Sequence, residues 1–178
     1  MSQHWNVMRQ KTLSSQGESV DDILKRVART DPALARQLQG LNWAIIRKEV
    51  ARRAIARAKT QLKHSTGLSC EIRTEYDNST RYHTGNGEPP SGECVGVLCL
   101  DDAQLGVAIH GTQLLVFWNG YNQERHSSVL DSMIQALNEA YRIEAYKAMM
   151  QLVGEGVPSE QTTRDGLVVL SARLREEG

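Results

Sequence analysis

The spacing of apolar residues changes partway along this chain, from a period near 3.6 to a period of 2, and the change predicts its organisation. Near the start, Trp5, Val7 and Met8 are apolar positions in an otherwise polar stretch, which suits a short edge strand or a docking arm. Ile23, Leu24 and Val27 then recur at helical spacing behind Ser19 and Asp22, which resemble a capping box with an aspartate in the place of the usual glutamate. A short helix over about 20–29 follows. Asp31-Pro32 restarts a helix, since Asp caps free amides and Pro suits the first helical position, and Gly40 suits its far end.

The longest helical stretch runs over about 42–64 and ends before Gly67. Placed at about 100° per residue, Trp43, Val50, Ala51, Ala54, Ala58 and Leu62 fall on one broad apolar face. Lys48, Arg52, Arg53, Arg57, Lys59 and Lys63 fall on the arc opposite, with Glu49 as its acidic member.

After Gly67, Leu68, Cys70, Ile72, Thr74 and Tyr76 alternate with Ser69, Glu71, Arg73 and Glu75, the signature of a half-buried strand. Asp77-Asn78-Ser79 is a turn cluster, and residues 80–84 can return as the second arm of a hairpin. The stretch 85–92, built from Gly, Asn, Glu, Pro and Ser, is an exposed loop. Three short apolar runs follow at 94–100, 105–110 and 114–118. Their connections are too tight for anything but antiparallel neighbours, so they predict a three-stranded meander.

Ser128 with Asp131 marks another helix start, and Val129, Leu130, Met133, Ile134, Leu137 and Tyr141 give that helix one face to lay on the sheet as far as about residue 153. Gly154, Gly156 and Pro158 end it, and after a polar stretch over 159–164 the run 167–174 reads as a final strand joining the same sheet. The expected class is α+β. A helical basic segment, 1–66, leads into a sheet domain, 67–178, with a β-hairpin, a meander, a covering helix and a last strand, the whole forming one compact unit.

Composition adds one decisive fact. The formal net charge is zero, but residues 1–65 carry 13 Lys/Arg against 5 Asp/Glu and the remainder carries 8 against 16. A basic segment of this kind binds an acidic protein surface, a nucleic acid, or the acidic part of a sister chain. With 40% hydrophobic and 24% charged residues the chain has the composition of a folded domain, not of a disordered tail. No apolar run reaches the length of a membrane span and no secretion signal opens the chain, while Cys70, Cys94 and Cys99 are an odd set that suits a reducing compartment. These features predict a cytoplasmic protein without membrane contact.

Candidate chemistry is sparse. No Gly-x-Ser-x-Gly elbow or other nucleophile signature is present. Cys94 and Cys99 with His83 and His110 are the best metal-ligand set, but their spacing is not that of a zinc knuckle. Gly85-Asn86-Gly87 runs into Pro89-Pro90 where a phosphate loop would open a helix. Asp101-Asp102 sits in a tight turn, where Asp is favoured for backbone reasons. No catalytic residue, cofactor or metal is therefore expected. Lys48, Arg52, Arg53, Arg57, Lys59 and Lys63 are the candidate binding set, for a protein partner or a second copy of the chain, or alternatively for nucleic-acid phosphates.

From residue 95 onward the order of elements, with Leu105-Gly106-Val107, Leu137-Asn138-Glu139-Ala140-Tyr141, Glu155-Gly156 and Asp165-Gly166, resembles a conserved bacterial and plastid-encoded family of unknown function, hypothetical chloroplast reading frame thirty-five. The resemblance covers roughly the last 80 residues. It implies a small, non-enzymatic α+β sheet domain and brings no functional residues with it.

Overall fold

The computed structural model describes residues 8–13, 20–76 and 93–174. Its elements are β1 (Met8–Thr12), α1 (Val20–Thr30), α2 (Pro32–Gln39), α3 (Trp43–Thr66), β2 (Cys70–Arg73), β3 (Glu93–Leu100), β4 (Ala103–His110), β5 (Gln113–Asn119), α4 (Gly120–Val153), β6 (Gly154–Thr162) and β7 (Val168–Leu174). The expected α+β class holds. The return arm expected at 80–84 and the loop at 85–92 lie outside the described residues.

Local chemistry accounts for the helix boundaries. The Asp31 side chain accepts the Leu34 N–H at 3.0 Å to open α2, and the Asn42 side chain accepts that of Ile45 at 3.3 Å to open α3. Gly67 closes α3 in the left-handed region, φ +67°, and its N–H donates to the Lys63 carbonyl at 3.1 Å. Within α4 the backbone leaves helical geometry at His126, so two helical pieces meet there at a kink.

The main sheet has five strands in the order β1-β5-β4-β3-β2, antiparallel throughout. The meander forms its centre, and a bulge between Cys94 and Gly96 shifts the β3–β4 register. β1 and β2 are the edges. One face carries Leu98, Leu100, Leu105, Val107, Leu114, Val116 and Trp118, packed against Ala51, Ala54, Ile55, Ala58 and Leu62 of α3 and Leu130, Met133, Ala136, Leu137 and Ala140 of α4. Alternate positions of the same strands, Val97, Cys99, Ala108, Leu115 and Phe117, are buried on the other face. There the Tyr76 ring lies 5.5 Å from that of Phe117, and the Tyr76 hydroxyl accepts the Asn119 N–H at 2.9 Å.

The end of the chain departs from expectation. The final strand does not join the main sheet: β7 pairs with β6 in a separate two-stranded sheet that packs against α4. The helix does stop at Val153, but Gly154, Gly156 and Pro158 and most of the polar stretch after them run on as β6. An isolated hairpin is marginally stable in water, so this one depends on its contacts with the helices.

Gly106 lies beneath Phe117, its partner in the β4–β5 register, and a β-carbon there would overlap the ring. Gly106→Ala is expected to lower unfolding free energy by about 1–3 kcal/mol through overpacking. Chemical denaturation checks this, and an unchanged midpoint would show that the ring moves aside freely.

Candidate interaction surface

The cations of α3 do not form the single outward arc expected from the sequence. Val50, Ala51, Ala54, Ile55, Ala58 and Leu62 take the buried face, and the cations border it on both sides. Lys48, Arg52, Lys59 and Lys63 fall within about 60° of one another on the flank beside Ile55, while Arg53 and Arg57 lie on the flank beside Val50. The neighbours confirm the division. Lys48 pairs with Glu93 at the start of β3, and the charges of Lys59 and Lys63 act on the Cys70 thiol of β2. Arg57 reaches the opposite way, to Glu144 of α4 and Glu160 of β6.

Three of the six are therefore committed within the molecule. Lys48 has Glu93, and Arg52 donates to Glu49 at 3.2 Å in an exposed pair worth a few tenths of a kcal/mol. Arg57 has two carboxylates. Among the described residues Arg53, Lys59 and Lys63 have no carboxylate within 4.0 Å.

Lys59 and Lys63 stand next to an apolar edge. Ile72 shares the inward side of β2 with Cys70, but β2 is the sheet border and α3 covers it incompletely, so Ile72 is 42% exposed. Leu68, in the connection from α3, is 39% exposed. Cys70 itself is buried, and burial pushes its thiol pKa up while Lys59 draws it back down. Two lysines beside half-exposed aliphatic groups on an edge strand can hold an anionic segment by charge and by contact.

The other flank has a different character. Arg57 grips Glu160 with two hydrogen bonds of 2.6 Å, Nη1 to Oε1 and Nη2 to Oε2, and its Nε donates to Glu144 at 2.9 Å. Lys147 adds a 3.0 Å bond to Glu160 and stands 3.8 Å from Glu144. The fork from Arg57, with Lys147 beside it, pulls the Glu160 carboxyl down to about 2, and the Arg57 guanidinium is held above its ordinary value. The sequence pattern did not place Glu160 in this network, because that residue sits in the stretch read as polar loop. The i,i+3 pair Glu144 and Lys147 was the one local signal for it.

The remaining candidates are not drawn together. Cys94 is exposed near one end of β3 and Cys99 is buried near the other, while His110 is exposed and His83 lies outside the described residues. Among the described residues no three of His, Cys, Asp and Glu converge on a metal position, and no helix is long and apolar enough to cross a membrane.

Arg57→Ala is expected to lower unfolding free energy by about 2–4 kcal/mol, since it strands Glu144, whose side chain is only 8% exposed. Because Glu160 titrates lower folded than unfolded, its contribution is full above about pH 5 and is lost as pH falls toward 2. Glu160→Gln should therefore be less stable than the parent at pH 7, with the gap closing between about pH 5 and 2. Urea titrations at stepped pH measure it, and a gap that stays constant would contradict the assignment.

No protein-family model, curated protein or solved structure matches the chain.

Proposed function

We propose that this protein is a non-catalytic interaction or adaptor module that binds an acidic protein partner through the Lys59–Lys63 flank of α3 and the adjoining β2 edge. The observation that carries the reading is the contrast within one helix. Lys48, Arg52 and Arg57 are matched by carboxylates of their own chain, while Lys59 and Lys63 have no carboxylate partner among the described residues and stand where Leu68 and Ile72 are half exposed. Charge at such a site governs encounter and orientation, and the aliphatic contact slows departure. Kinship with the plastid reading-frame family and residence in a reducing compartment belong to the same proposal.

The alternative, contact with nucleic-acid phosphates, is weakened by the same division. A stripe of six free cations would release several counterions, whereas the two or three without a partner among the described residues release few. Symmetric pairing of two copies, patch against the same patch, would set like charges against each other, so a second copy would have to offer its acidic part.

An acidic peptide with alternating Glu and Val, followed by fluorescence anisotropy, tests the reading. Binding should weaken as salt rises, and the double substitution Lys59→Glu and Lys63→Glu should reduce affinity by about tenfold or more. Unaltered affinity in that variant would overturn the surface assignment. An electrophoretic shift with DNA or RNA that is tight and falls steeply with salt would replace the protein partner with nucleic acid.

A further inference from the structure

Behind α3, on the side away from the partner surface, lies a cleft of about 1000 Å³ between α3, α4 and the β6–β7 hairpin. Arg57, Glu144 and Lys147 line it, beside the apolar Ala56, Ile143 and Val168. On β6, Pro158 and Thr162 also line it, and Glu160 occupies the alternate position between them, drawn onto Arg57 and Lys147. We infer that Arg57 and Lys147 form a receptor for the carboxylate of a small organic acid, and that Glu160 is the chain's own replaceable occupant of it.

Three observations support the assignment. The guanidinium presents two parallel N–H donors at 2.6 Å to a single carboxylate, the bidentate geometry by which Arg selects that group. The charges of Arg57, Lys147, Glu144 and Glu160 balance only while Glu160 is in place. When it turns away, a cationic surplus is left in a part-buried site where Arg57 is 22% and Lys147 24% exposed, and an outside carboxylate restores the balance. Glu160 is 27% exposed and belongs to a hairpin outside the main sheet, so its side chain can swing to water without disturbing the core.

Competition sets the size of the ligand. A tethered carboxylate acts at an effective concentration on the order of millimolar, so an acid offering nothing else is outcompeted. The ligand must gain from the walls at Ala56, Ile143 and Val168, which calls for a short aliphatic or aromatic body, and the cleft volume lies at the upper end for such sites.

The full chain titrated with hexanoate, with hexan-1-ol and acetate as controls, tests this by following the Arg57 Nε–Hε resonance. Removing the internal competitor should tighten binding, so Glu160→Ala should bind hexanoate roughly tenfold more strongly than the parent. Glu160→Gln should move in the same direction if the alanine variant fails to fold. Arg57→Lys, which keeps the charge and loses the fork, should abolish the gain when combined with either. Equal hexanoate affinity in the parent and in the Glu160 variants would overturn the proposal, as would hexan-1-ol matching hexanoate.

Discussion

The small-residue face of α3 is the constraint from which the other features follow. Ala51, Ala54 and Ala58 are fully buried, so the helix axis can come close to the sheet, with Ile55 and Leu62 filling the space that remains. Contact is tight enough that a β-carbon at Gly96 would stand 3.0 Å from the Ile55 Cδ1 atom. A helix seated so closely has little freedom to rotate, and the direction of every cation on it is fixed by that seating. The same sequence on a helix turned by a third of a revolution would match different charges and expose others.

Once α3 is set, its flanks meet different neighbours, and their chemistry diverges. One flank overlooks the sheet border, where Lys59 is half-buried, Lys63 is exposed and neither has a carboxylate partner among the described residues. The other meets α4 and the hairpin, where Glu144 and Glu160 gather Arg57 into a part-buried network. The network joins three elements distant in sequence, one of which lies outside the main sheet. A separate hairpin is thus seated by packing on α4, with charge-assisted bonds added to that packing, in place of ladder pairing with the main sheet.

Much of this was legible in the residues. Asp31-Pro32 and Gly40 bounded α2 because their physics is local, and the meander was legible because its turns are too short for any other connection. β6 was not, since Gly154, Gly156 and Pro158 carry the marks of a terminator, and its pairing with β7 uses backbone groups that leave no apolar pattern. The binding surface was half legible. The helical wheel located the cations and put Glu49 beside Arg52, but the partners of Lys48 and Arg57 lie dozens of residues away. The exposure of Ile72 likewise depended on β2 being the outermost strand, which the alternation of its residues does not encode.

The pairing of β1 with β5 also bears on how the molecule is made. Met8 stands opposite Asn119, so the first strand emerges from the ribosome more than a hundred residues before its partner exists. At a synthesis rate of about 5–20 residues per second it waits on the order of ten seconds, unpaired, while the helices behind it form. When the meander finally folds, its vacant border will accept this sequence from any chain, and at high local concentration on a polysome the nearest copy can belong to a neighbour. Exchange of β1 between nascent chains is the hazard that such a long-range closure creates.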